Sequence, residues 1–248
     1  MISLNRFDLT CRSIDQAHFQ IARALFHEGQ VYVNERGSYV GHKRLEFDFV
    51  TLHLTHPHED TVPILPEGVP AVSTLEGNIN YAAKYLLDGN PAPNEQYTYG
   101  LFIMAQMDDI LNMLRDTPQT NQAVFCIGNG SGPERSVLQS HPPCLRSIDC
   151  RMDHTTGALH LITYWRSWDA WAGLPENLGG IQYLQAHMAN ELSVDTGELI
   201  ACSKGLHLYD YQWPFALQRL GGVMPDGSII TEGEARLGEG WMPLPEGE

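Results

Sequence analysis

Residues 142–169 read PPCLRSIDCRMDHTTGALHLITYWRSWD, and this stretch constrains the fold more than any other. Apolar and polar residues alternate on both sides of the polar segment DHTTG, the pattern of two half-buried strands joined by a tight turn. Strands connected so briefly run antiparallel, because a parallel pair needs a long crossover. The sheet is therefore mixed or antiparallel, not purely parallel. With the turn centred on Thr155, facing residues have numbers that sum to 310, to within a bulge or a one-residue slip. Met152 then faces Ala158, Cys150 faces His160, and Cys144 faces Arg166. Directly opposed residues share a face of a sheet, so a thiol and a guanidinium become neighbours. A nearby cation favours the thiolate, which is the nucleophile. Pro142 and Pro143 end the strand just before Cys144. Spacing alone leaves a second reading open, a structural cysteine beside an arginine at a sheet edge, and free cysteines are more often core residues.

Several further strands are interspersed with helices. SIDQAHFQIARALFHEG reads as a helix, with Ser13 and Gln16 as a capping box, Ile14, Ala17, Ile21 and Leu25 as its stripe, and Gly29 as its stop. QVYVNERGSYV and LEFDFVTLHLTHP read as strands around a turn, and EGNINYAAKYLLDG as a helix. MAQMDDILNMLRD carries Met104, Met107, Ile110, Leu111 and Leu114 at helical spacing. QAVFCI is a short buried strand, Ile181, Leu184, Met188 and Leu192 mark another helical face, and GELIACSKGLHLYDYQW is a last strand. This pattern predicts an α+β fold, a mixed and largely antiparallel sheet with flanking helices, in one domain spanning residues 1–248.

Composition narrows the function. A formal charge of −15 disfavours binding to a nucleic acid duplex. Twelve arginines against three lysines still allow a local grip on a small anion. No apolar run is long enough to span a bilayer, which argues against a membrane partner. The start MISLNRFDLTCRS lacks a secretory pattern, so the cytoplasm is expected. Five cysteines at irregular spacings, with no CxxC, signal reduced thiols rather than disulfides or a zinc knuckle. HLTHPHED gathers His53, His56, His58 and Glu59, yet it spans a strand exit and a proline turn, so no metal site is expected. IGNGSGPERS is read as a loop, not a dinucleotide motif.

PPC, YWRSWDAWAGLPENLGG and KGLHLYDYQW, in that order and spacing, resemble the thymidylate synthase and pyrimidine hydroxymethylase family. The close match runs from Pro142 to Trp213, with weaker support from YTYG onward, and the first ninety or so residues look most like the short archaeal-type members. The resemblance implies a homodimer, with 5,10-methylenetetrahydrofolate or a related pterin carrier as co-substrate and no metal. It implies a one-carbon transfer to carbon 5 of dUMP, started by a cysteine that adds at carbon 6 and turns carbon 5 into a nucleophile. Hydride from the folate then gives dTMP; water instead gives a hydroxymethyl product on dUMP, dCMP or CMP. A third outcome is a nucleotide-binding homologue without turnover.

By the same resemblance Cys144 is the nucleophile, and Arg166 and Ser167 grip the phosphate. Asp169 holds the pterin ring, and Asn177 reads the base, unless it is only a helix cap. His207 and Tyr209 bind the sugar hydroxyl. Tyr99 relays protons near carbon 5, with Tyr97 as its close rival, and Glu76 orders water near the base. The sequence also departs from the pattern. Leu145 follows the nucleophile where many members have histidine. Asn121 and Gln122 stand where many members carry two arginines that cross the dimer to the phosphate. Gln122 can still donate a hydrogen bond there, and Arg36 or Arg135 could replace the lost charge. The usual tryptophan-bearing loop and apolar C-terminus are not recognisable, which leaves GWMPLPEGE, with Trp241, as a substitute closing tail.

Overall fold

The computed structural model describes residues 3–36, 39–91, 93, 97–128 and 142–221, with the backbone of 234–237 and 240–243. Arg135 and the side chain of Trp241 lie outside the described residues. The elements run in order β1 (Arg6–Cys11), α1 (Ile14–Glu28), β2 (Gln30–Val33), β3 (Lys43–Leu54), α2 (Leu75–Tyr81) with a π-helical turn (Ala82–Leu86), α3 (Gly100–Met104), α4 (Met107–Asp116) and β4 (Val124–Cys126). Then come β5 (Leu145–Met152), β6 (Leu159–Trp165), β7 (Trp168–Asp169), α5 (Gly173–Leu192), β8 (Thr196–Tyr209), a 3-10 turn (Asp210–Gln212), α6 (Trp213–Arg219), β9 (Glu234–Leu237) and β10 (Gly240–Pro243).

The main sheet has the order β1-β3-β8-β6-β5-β4, with β2 added to β3 and β7 to β8. It is mixed. β3/β8, β5/β6, β4/β5 and β2/β3 are antiparallel, whereas β1/β3, β6/β8 and β7/β8 are parallel. Helices α1 and α5 cover one face with fully buried Ile14, Ile21 and Leu25, and Ile181, Leu184 and Met188. On the other face His160, Ile162, Glu198 and Ile200 are only partly covered and Tyr164 is exposed.

Local signals account for most elements. Ser13 caps α1 by accepting the Gln16 N–H at 3.3 Å, although Gln16 reaches back to the Arg12 N–H (2.7 Å) and not to that of Ser13. The expected methionine helix is broken: α3 ends at Met104, which is 42 % exposed, and α4 restarts at Met107. A helix lies between Gly173 and Leu192, so Asn177 sits inside its first turns and is not its cap.

The hairpin register is one residue off along most of its length. Met152 faces Leu159 and Cys150 faces Leu161, not Ala158 and His160. At Arg146 one unpaired residue interrupts the ladder, so that Leu145 faces Trp165. The Arg166 N–H then donates to the Cys144 carbonyl at 2.8 Å, restoring the expected pairing at the strand end. The same irregularity crosses the sheet. In β3 the core-facing set changes from Leu45 and Phe47 to Val50, Leu52 and Leu54; in β8 it changes from Leu206 and Leu208 to Leu199, Ala201 and Ser203. Asp48 and Phe49 both donate to the Asn5 carbonyl (2.8 and 3.3 Å), and Gly205 has a φ of +69°. Two donors on one acceptor and a left-handed glycine are the marks of bulges. Here they lie side by side.

Close helix packing needs glycine at Gly180, where an added Cβ would come within 2.3 Å of the Tyr81 ring. Gly180→Ala should therefore destabilise the protein by about 1–3 kcal/mol through overpacking. A urea titration followed by circular dichroism checks this, with an unchanged midpoint as the contrary result.

Candidate active site

Cys144 sits half-buried at the mouth of β5, where Arg166 meets it from the end of β6. The Arg166 Nε–H donates to the Pro142 carbonyl at 2.8 Å, so the guanidinium is tied to the chain two residues before the thiol. Burial pushes the Cys144 thiol above its ordinary value, and Arg166 pulls it back only in part. The expected ionised resting sulfur is thus not what the geometry gives: desolvation outweighs the guanidinium, and the proton stays on. Burial alone pushes Cys11 up to about 12, and burial together with Asp149 does the same to Cys150.

Two tyrosines flank the thiol. The Tyr99 hydroxyl accepts the Leu145 N–H at 3.4 Å, and its ring meets Trp165 edge-on at 6.1 Å. Burial raises Tyr99 well above the usual phenol range. Tyr97 is less buried; burial and Cys144 raise it, while Arg166 and Arg146 lower it. Both phenols are therefore within electrostatic reach of the sulfur. Leu145, the residue in place of histidine, is fully buried in the core.

Asn177 accepts the Trp168 Nε1–H through its Oδ1 at 3.0 Å. The indole nitrogen can only donate, so this contact fixes the amide: the NH2 group is the end left to face Tyr81 or a ligand. Gly173 completes the corner, since a Cβ there would lie 3.2 Å from the Asp169 side chain and 3.6 Å from Asn177 Oδ1. Asp169 Oδ1 accepts the Trp171 and Ala172 N–H groups at 2.8 and 3.2 Å, and Gln212 Nε2 donates to Oδ2 at 3.0 Å. Oδ2 has acceptor capacity left for the N–H donors of a pterin ring, so the residue fits that role chemically.

His207 is 3 % exposed, and its Nδ1 contacts the Gly205 carbonyl at 2.8 Å. A carbonyl only accepts, so Nδ1 carries the hydrogen and Nε2 is left as an acceptor. Burial holds His207 below the usual histidine range, which keeps it neutral. The Tyr209 ring meets it edge-on at 4.6 Å.

A cleft of about 600 Å3 opens beside this group, lined by Arg166, Ser167, Arg44, Lys204, Glu46 and Asp48 among others. Arg44 and Lys204 were not singled out in the sequence, because strand cations have no motif. The alternation of β3 and the register of β8 were the only available signals. Trp168 and Gln212 act through side-chain bonds to Asn177 and Asp169, which no local pattern reports.

Three expected residues are not brought in. Glu76 is exposed in the first turn of α2, which packs against α5 through the buried Asn78. Gln122 is exposed ahead of β4 and bonds to Thr120, and Asn121 accepts from Arg151 at 2.6 Å. Neither Gln122 nor Arg36 lines the cleft. Arg36 is exposed on the β2–β3 turn, whose Tyr39 ring packs 5.0 Å from that of Tyr209. The histidine-rich stretch disperses: His53 pairs with Glu198 at 2.9 Å, and His58 contacts Thr196 and Gln182. Among the described residues no three His, Cys, Asp or Glu side chains are placed to hold a metal, and no helix is long and apolar enough to cross a membrane.

Sheet order, bulged strands and a cysteine–arginine rung define an α+β fold of the thymidylate synthase type. The family model for thymidylate synthase matches residues 95–221, just over half of the 248-residue chain. A Methanosarcina acetivorans protein described as "Putative thymidylate synthase" is 24% identical over 221 residues, covering 87% of this chain and 95% of that one. A Methanopyrus kandleri protein of the same description is 27% identical over 124 residues, covering 48% of this chain and 57% of that one. Among solved structures, thermostable thymidylate synthase A from Bacillus subtilis aligns with a TM-score of 0.59 at 16% identity, covering 86% of this chain and 85% of that chain. The chain belongs to the thymidylate synthase family.

The opposed effects of burial and Arg166 can be read by alkylation. The pH profile for iodoacetamide labelling of Cys144, followed by peptide mass spectrometry, should lie above that of an ordinary exposed thiol. Because Arg166 favours the thiolate, Arg166→Gln should move the profile to still higher pH; a profile that stays in place would show that the guanidinium does not act on the sulfur.

Proposed function

We propose that this protein transfers a one-carbon unit from methylenetetrahydrofolate to carbon 5 of dUMP, giving dTMP through a covalent adduct of Cys144 at carbon 6. The observation that carries this reading is the restored rung at the end of the hairpin, where Arg166 clamps the backbone of Cys144 and faces its thiol. Sulfur attack requires loss of the thiol proton. Arg166 lowers the cost of the resulting thiolate, and the Tyr97 and Tyr99 hydroxyls stand nearest to carry protons through ordered water. The Asn177 amide, oriented by Trp168, donates to the oxygen at carbon 4 of the base. Neutral His207 accepts the sugar hydroxyl through Nε2, with Tyr209 beside it. Asp169 holds the pterin through Oδ2. The folate supplies the carbon and then the hydride. The chain works as a cytoplasmic homodimer; the dimer is supported by the sheet face that no helix covers among the described residues.

One observation favours a second reading. With its oxygen held by Trp168, Asn177 presents a donor that suits uracil oxygen 4 and equally suits cytosine nitrogen 3. Hydroxymethylation of dUMP, dCMP or CMP by the same nucleophile follows if water replaces hydride.

Incubation with dUMP or dCMP and methylenetetrahydrofolate, followed by mass spectrometry, separates the two readings. dTMP formed together with dihydrofolate is expected; a hydroxymethyl nucleotide with tetrahydrofolate regenerated would instead establish the second reading. Cys144→Ser should abolish either product, and turnover retained in that variant would overturn both.

A further inference from the structure

We infer that the nucleotide phosphate is gripped within one protomer, by Arg166 and Ser167 together with Lys204 and Arg44, so that strand cations of the same chain take the place of charge from a partner. The inference rests on the functional reading above and adds the residues that select a nucleotide over a nucleoside.

The register supplies the first reason. β6 and β7 run parallel to β8, with Trp165 paired to Ser203 and Trp168 to Leu206. The two residues between them, Arg166 and Ser167, therefore lie level with Lys204 and Gly205. All four line the same 600 Å3 cleft. Gly205, at a φ of +69°, leaves the floor between the two cations without a side chain.

The second reason is how the charges are committed. Arg44 comes from β3 on the far side of β8. Its Nε pairs with Glu46 at 2.5 Å and its Nη1 donates to Asn34 at 2.5 Å, which fixes the fork and leaves Nη2 without a bond among the described residues. Asp48 is spent on the Asn5 N–H (2.7 Å) and the Tyr32 hydroxyl (3.0 Å). Glu46 is spent on Arg44, and its burial further raises the cost of a negative charge there. Lys204 is exposed; it lies within electrostatic reach of Glu46 but forms no salt bridge to a carboxylate among the described residues. A cleft with three cations and two engaged carboxylates attracts a dianion, in a chain whose overall charge of −15 would repel one.

The third reason is the edge strand. Asn121 and Gln122 are uncharged and exposed, and Asn121 is already bonded to Arg151. Neither carries a positive charge to bring across an interface.

The test is calorimetric binding of dUMP and deoxyuridine to the full chain. The variants are Lys204→Gln and Lys204→Arg, each checked for unchanged oligomeric state by size-exclusion chromatography. Lys204→Gln should weaken dUMP about 10- to 100-fold, the range for one charge-assisted hydrogen bond, and leave deoxyuridine unchanged. In turnover the loss should fall on KM and not on kcat, and Lys204→Arg should recover most of it. A wild type that prefers dUMP to deoxyuridine while Lys204→Gln binds dUMP equally well overturns this inference alone. A wild type that binds both alike overturns the nucleotide reading as well. Arg44→Gln, checked for folding by circular dichroism, should add a second loss of similar size; normal dUMP affinity in a folded Arg44→Gln protein removes Arg44 from the grip.

Discussion

The site depends on one register step, the unpaired residue Arg146 in β5. Side chains alternate along a strand, so a one-residue shift sends each of them to the opposite face. With the ladder continued as it runs from Met152 to Ser147, Cys144 would not stand on the rung of Arg166. The step realigns the two just where β5 begins. Irregularities at Asp48 and Phe49 in β3 and at Gly205 in β8, beyond β6, match each other across that pair of strands. Their shared effect is to turn Arg44, Glu46 and Lys204 toward one cleft while leucines on both sides of the step keep facing the helices. A single bulge would leave a gap in the sheet. Bulges in adjacent strands keep the ladder and bend it as a unit.

Electrostatics in this region oppose the average of the molecule. The chain is strongly acidic, yet the cleft gathers Arg44, Arg166 and Lys204. Short-range contacts decide the outcome, because charges farther than a Debye length are screened while those lining a low-dielectric cleft are not. The same low dielectric acts on the thiol. It raises the cost of a thiolate more than one guanidinium can repay, so burial holds the Cys144 thiol above its ordinary value despite Arg166. His207 follows the same rule with opposite sign: burial removes its charge and leaves a neutral acceptor.

Helix α5 links this chemistry to the core. Its first turn carries Gly173, packed between Asp169 and Asn177, and its next turns carry Gly179 and Gly180, against which Asn78 and Tyr81 of α2 lie. Small residues at these places bring α2 and the Asn177 amide within contact distance. Trp168, stacked on Trp165 at 4.9 Å, sets the amide from the other side. Asn177 is thus oriented by its neighbours in the sheet and not by helix capping.

By itself the sequence determined the hairpin, the antiparallel character it imposes, the α1 cap, the apolar stripes of α1 and α5, and the nearness of Cys144 to Arg166. All of these follow from short-range periodicity and turn chemistry. Tertiary structure alone decided the bulge that corrected the pairing, the interruption between Met104 and Met107, the exposure of Glu76 and Gln122, and the entry of Arg44 and Lys204 into the cleft. Those outcomes depend on strands distant in the chain. Arg44 lies 122 residues from Arg166, and no local pattern reports which strand will lie across from which. The expected ionised thiol failed for the same reason: the arginine is visible in the sequence, but the depth of burial that outweighs it exists only once the core has closed.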